Sequence, residues 1–210
     1  MVSRLQTSLN FAILIYMTKT KEIARSVSSF GMDIAKIVII SLLIIVPIRY
    51  FIAQPFFVRG ASMEPTYHQG DYLIVDELSY RFNDPQRGEV IIFRFPQNTS
   101  QFFIKRIIAL PTETIVIKDG SVIIKNEDNP QGFVLEEDYI SDVTTGNLEM
   151  LLGDNEYFVM GDNRVASHDS RRWGALGETY IIGKVFLRAW PVAQFDLIKK
   201  PIYNHLELQN

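Results

Sequence analysis

The chain has 210 residues, 47% hydrophobic and 21% charged, with a formal net charge of −3 and no cysteine. That length holds one ordinary domain plus a small appendage. The charge leaves no basic footprint for nucleic acid, and the absence of cysteine removes disulfides, thiolate metal sites and thiol nucleophiles. The histidines His68, His168 and His205 lack metal-ligand spacing, so no metal is expected.

Residues 1–36 carry five basic and two acidic side chains, a net +3, which leaves −6 for the remainder. Leu9 to Met17 is apolar but too short to span a bilayer, and it reads as a membrane-surface or unstructured segment. Residues 35–53, built on Ile37-Val38-Ile39-Ile40-Ser41-Leu42-Leu43-Ile44-Ile45-Val46, meet the length of a single spanning helix. Lys36 and Arg49 then snorkel to opposite interfaces, and Pro47 kinks the outer end. A cleaved secretory leader has its apolar stretch near the very N-terminus, whereas this one starts past residue 34 and leads into Gln54-Pro55-Phe56-Phe57. The basic side stays inside. Residues 1–34 are therefore expected in the cytoplasm, 35–53 in the plasma membrane, and 54–210 outside it.

Beyond residue 56 strand signals dominate. Residues 71–75, 89–95, 102–109, 114–117, 121–124, 157–160 and 182–189 are β-rich runs bounded by Gly, Pro, Asn or Asp. Lys118-Asp119-Gly120-Ser121 predicts a tight hairpin, because Asp-Gly tolerates the positive φ such turns require. Residues 119–158 read as a short, more irregular excursion. The outer domain is expected to be mainly β.

Three stretches of that domain carry chemistry. Ser62 follows a small-residue turn in Gly60-Ala61-Ser62-Met63-Glu64-Pro65-Thr66, and Lys105 is embedded in Phe102-Phe103-Ile104-Lys105-Arg106-Ile107-Ile108. A lysine is useless as a base near neutrality until burial disfavours its charged form, and apolar neighbours supply that burial. On a strand, alternation places Phe103, Lys105 and Ile107 on one face and Ile104, Arg106 and Ile108 on the other. A lone lysine in such a run more often snorkels to water. The third stretch, Gly161-Asp162-Asn163-Arg164-Val165-Ala166-Ser167-His168-Asp169-Ser170-Arg171, has two arginines and two aspartates spaced for an ion-paired turn; alone it could equally be a solvated loop. Together the three suggest a hydrolase with a Ser/Lys dyad.

In order and spacing these motifs resemble the type I signal peptidases, also called leader peptidases, from the apolar helix through Arg49, Gln54-Pro55-Phe56, Arg87-Gly88-Glu89-Val90-Ile91-Ile92-Phe93 and Lys105-Arg106 to Trp190-Pro191. The resemblance implies a membrane-bound, β-rich serine endopeptidase without a cofactor, which cuts signal-peptide-bearing precursors after Ala-x-Ala-type small residues. It implies Ser62 as nucleophile and Lys105 as general base. Ser167 would orient the Lys105 amine, with Arg106 beside it. The pairs Asp162 with Arg164 and Asp169 with Arg171 would brace the loop. Val58, Met63, Phe103 and Ile104 would wall shallow apolar pockets. The Ser62 N–H would donate to the oxyanion, with Gly60 where some members carry a second, serine donor. Gly60→Ser is expected to be tolerated unless residue 60 needs positive φ. Arg59 stands at the pocket rim, where a smaller residue is common.

Other readings remain open at this level. Ser62 or Ser170 with His168 and an aspartate could form a Ser-His-Asp triad, although no Gly-x-Ser-x-Gly elbow is present. A protease dedicated to one substrate, and a membrane-tethered β module that only binds partners, are the other two.

Overall fold

The computed structural model describes residues 30–46, 53–201 and 203, which fall in two units, Met1–Arg49 and Tyr50–Asn210. In the first unit one helix, α1, covers residues 30–46. Its apolar side chains, from Ile37 and Val38 to Ile45 and Val46, are exposed. Among the described residues no helix is long and apolar enough to cross a membrane. The span expected over 35–53 runs on into residues 47–52, which lie outside the described residues. It does not reach residue 53, because Ala53 already belongs to a strand that pairs with Asp76.

The second unit is mainly β. Its strands in chain order are β1 (Ala53–Phe57), β2 (Tyr72–Asp76), β3 (Val90–Phe95), β4 (Asn98–Ala109), β5 (Thr114–Lys118), β6 (Ser121–Lys125), β7 (Phe133–Val134), β8 (Leu148–Leu151), β9 (Glu156–Met160), β10 (Leu176–Gly177), β11 (Ile181–Trp190) and β12 (Asp196–Leu197). A one-turn helix, α2 (Ser170–Trp173), precedes β10. An eight-stranded sheet runs β1-β2-β11-β3-β4-β9-β10, with β12 paired to β11, and a four-stranded sheet runs β7-β6-β5-β8. The second sheet corrects the irregular excursion expected over 119–158. Phe133–Val134 and Leu148–Leu151 are too short to show alternation, and they become strands by pairing with β6 and β5.

Burial follows the side-chain period of a strand. On β2 only Leu73 and Val75 are buried, and on the β5–β6 hairpin Ile115, Ile117, Val122 and Ile124 are. The central strand β3 is covered on both faces. Val90 and Ile92 pack with Val58, Met63, Tyr67, Leu73, Val75 and Ile104, whereas Ile91 and Phe93 pack with Ile107, Tyr157, Val159 and Leu176. A strand buried twice holds its neighbour β4 rigidly, and β4 carries Lys105.

The partners of β4 change along its length. It pairs with β3 from Asn98 to Arg106, but with β9 only from Arg106 onward. Among the described strands none pairs with the other edge of residues 98–105. That edge faces the segment leaving β1.

Candidate active site

Ser62 sits on a turn closed at both ends by the backbone. Val58 N–H donates to the Asp71 carbonyl at 3.0 Å, Gly70 N–H to the Val58 carbonyl at 3.0 Å, and Tyr67 N–H to the Met63 carbonyl at 2.9 Å. Gly60 opens the turn with φ +88°, a conformation that side chains resist. The turn lifts Ser62 to the surface and drives Met63 into the core, where it is 1% exposed.

Lys105 is 4% exposed. Its Nζ lies 2.8 Å from Ser62 Oγ and 2.8 Å from the Ile104 carbonyl, and 5.4 Å from the centroid of the Phe103 ring. Burial lowers its pKa from the ordinary lysine value to about 8, against an upward pull from the Asp169 and Asp162 carboxylates. A neutral amine at that distance can accept the serine proton.

The 161–171 loop is fastened to Ser62 directly and to the strand of Lys105 through Arg106, though not by all the bonds expected. Asn163 N–H donates to the Ser62 carbonyl at 3.1 Å. Asp169 caps α2 and holds Arg171, Nε to Oδ1 at 2.9 Å and Nη2 to Oδ2 at 2.9 Å, while accepting the Gly161 N–H at 3.1 Å. Burial works to raise the Asp169 carboxyl, but Arg171, the Ser167 hydroxyl and the Gly161 N–H hold it below the usual range.

Asp162 does not pair with Arg164. Its carboxylate takes Arg106, which neighbours Lys105 on β4, through Nε at 2.9 Å and Nη2 at 2.6 Å, and it also accepts the Thr66 hydroxyl at 2.6 Å. The Arg164 guanidinium is buried and turns instead to Glu137 and Thr144. A buried cation takes whichever carboxylate its fork meets squarely, and Glu137 reaches it from a segment 27 residues away in sequence. Ser167 is a second departure. Its buried hydroxyl makes no hydrogen bond to Lys105 and turns to the Asp169 carboxylate, and the second acceptor for Lys105 is the Ile104 carbonyl.

A groove of about 780 Å³ runs over the pair. One wall is Pro55 to Ser62 and the other Gln101 to Lys105, with Leu73 and Ile92 below and Ala166 and His168 at one end. Val58, Phe103 and Ile104 line it; Met63 lies behind its floor. His168 packs its ring against Phe95 and Phe103, centroids 5.8 and 6.5 Å apart, and the Ser62 hydroxyl is met by lysine rather than by imidazole.

Gly161 is a site residue that motif reading passed over. A Cβ there would collide with the Ser62 carbonyl and the Ser167 hydroxyl. Its place directly before Asp162 was the available signal, since a glycine beside an ion-paired turn often marks close backbone approach.

The signal peptidase, peptidase S26, family profile matches residues 31–190. A probable signal peptidase I-2 of Synechocystis sp. is 33% identical over 80% of this chain and 77% of its own length. A probable signal peptidase I-1 of the same organism is 36% identical over 76% and 82%. A signal peptidase I of Leptolyngbya laminosa is 37% identical over 81% and 85%. With a profile covering most of its length and relatives of this identity matched over 77–85% of their own length, this protein belongs to the signal peptidase family, peptidase S26.

Proposed function

We propose that Ser62 and Lys105 are the nucleophile and general base of a membrane-anchored endopeptidase that removes signal peptides from secreted precursors. The observation that carries the assignment is the 2.8 Å contact between Lys105 Nζ and Ser62 Oγ at the floor of a peptide-sized groove. Neutral Lys105 accepts the hydroxyl proton as Oγ attacks the scissile carbonyl carbon, and the Ser62 N–H donates to the oxygen that becomes negative. The tetrahedral adduct collapses as Lys105 returns the proton to the leaving nitrogen, which breaks the peptide bond. A water then gives its proton to Lys105 and attacks the acyl carbon, and the bond to Oγ breaks as Lys105 passes that proton to it, releasing the new carboxyl end and restoring the Ser62 hydroxyl and the neutral amine.

The unpaired edge of residues 101–105 and the segment 55–60 suit an extended peptide lying between them. In that pose alternate side chains point down, where Val58, Phe103 and Ile104 leave room only for small ones. Asp162, Asp169 and their arginines hold the loop that presses on Ser62. The apolar segment that begins at residue 35 and ends before β1 anchors the domain, with residues 1–34 in the cytoplasm and the β domain outside. Supporting this, the apolar side chains of α1 are exposed along its length, which water penalises and lipid does not.

The deciding experiment incubates the purified full chain in detergent with a precursor bearing Ala-x-Ala, beside its Ser62→Ala and Lys105→Ala forms. Cleavage after the second alanine by the parent alone is expected. Cleavage retained in either variant would remove the dyad.

A further inference from the structure

The groove has an electrostatic bias that its apolar pockets do not require. Its lining includes two cationic side chains, Lys105 and Arg59, and no carboxylate. Lys105 is buried and engaged by Ser62 and Ile104. Arg59 is exposed, and among the described residues it has neither a hydrogen bond nor an ion pair. The neighbouring side chains show which way it faces. Phe56 is half-buried and Val58 buried, both packed into the core beneath the groove, whereas Phe57 and Arg59 border the groove with exposed side chains. Residues 56–59 therefore alternate as a strand does, with the guanidinium on the outward face.

An extended peptide beside this segment must alternate in the same way. When the residues at the first and third positions before the scissile bond point into the pockets, those at the second and fourth point outward. Side chains on one face of adjacent extended segments are neighbours, and opposite charges there attract. We propose that Arg59 is a specificity-determining residue, which selects precursors with an acidic side chain at the second or fourth position before the cut and disfavours lysine or arginine there. A solvated arginine is content without a partner. A bound peptide, however, takes water from around it and supplies an acidic or basic neighbour at close range. No acidic group lines the groove to offset the repulsion of a basic one. The inference rests on the Ser62/Lys105 reading and on the extended pose.

The test uses the full chain in detergent and peptides that keep alanine at the first and third positions while the second, or the fourth, is Glu, Ala or Lys. For the parent, kcat/KM for Glu over Lys at one of these positions should be about threefold to tenfold, the range exposed charge pairs give when attraction of one peptide is set against repulsion of the other. The ratio should shrink at high salt. Arg59→Gln should bring it near one, and Arg59→Glu should invert it, with the all-alanine peptide as the common reference. Equal cleavage of Glu and Lys peptides at both positions overturns the proposal, as does a preference that survives Arg59→Glu. Failure of the parent to cut the all-alanine peptide, or cleavage of it by Ser62→Ala, overturns the dyad instead, so the two readings fail separately.

Discussion

The Arg106 guanidinium grips the Asp162 carboxylate through two parallel bonds, Nε to Oδ1 at 2.9 Å and Nη2 to Oδ2 at 2.6 Å, with both side chains withdrawn from water. Because Asp162 also accepts the Thr66 hydroxyl, one carboxylate joins the strand of Lys105 to the turn of Ser62. Removing one partner of such a pair leaves an uncompensated buried charge, at a cost of about 3–5 kcal/mol. Asp162→Ala should lower the denaturation midpoint accordingly and reduce kcat even at temperatures where the variant is folded. An unchanged midpoint would show the pair to be dispensable.

The second prediction is a pH profile. Cleavage needs Lys105 neutral, and its pKa is lowered to about 8, so kcat/KM should rise with pH along a limb centred near that value. Lys105→Arg should be inactive, because a guanidinium stays protonated and cannot accept the serine proton. A parent profile flat between pH 6 and 9 would mean that another group is the base.

The same burial has a consequence for stability. The folded lysine titrates at about 8 and the unfolded one at 10.5. As pH falls from 10.5 toward 8 the unfolded chain takes up its proton first, so stability is lost across that window and stays reduced below it. The difference corresponds to about 3 kcal/mol. Lys105→Met should therefore abolish cleavage while raising Tm at pH 7, with the gain fading toward pH 10.5. A Tm below that of the parent at pH 7 would show that the bonds to Ser62 and the Ile104 carbonyl outweigh desolvation.

Two glycines give a contrasting pair. At Gly60 a Cβ meets open space, but φ is +88°, so Gly60→Ser should strain the turn and cut kcat with little change in fold. Had φ been negative, the substitution would have been tolerated. At Gly161 the obstacle is a collision with Ser62 and Ser167, and Gly161→Ala should displace the nucleophile and cost both stability and rate. Assays of cleavage and thermal melting on the two variants separate backbone strain from steric overlap; full activity in Gly161→Ala would refute the close approach.

Topology is tested on intact cells stripped of their wall. Protease added outside should digest the domain from residue 54 onward and spare residues 1–34. The reverse pattern would overturn the orientation read from the +3 and −6 halves.

Much of this was legible in the chain itself. Strand positions follow from alternation and turn residues, and these act over a few neighbours. Seven of the strands accordingly lie where β-rich runs predict them, from β2 at Tyr72–Asp76 to β11 at Ile181–Trp190. Ser62 and Lys105 stood out because their surroundings, small before one and apolar around the other, are local as well. The ion-pair partners were not local. Arg164 chose Glu137 over Asp162, two residues away, and Asp162 chose Arg106, 56 residues away. Charge composition says only that carboxylates and guanidinia are present; which fork meets which carboxylate depends on where the backbone places them once water is gone. The burial of Met63, the Ser167 hydroxyl turned away from Lys105, the left-handed Gly60 and the outward face of Arg59 were likewise decided by tertiary structure, because each depends on what the fold brings against the side chain, and sequence spacing carries no record of that.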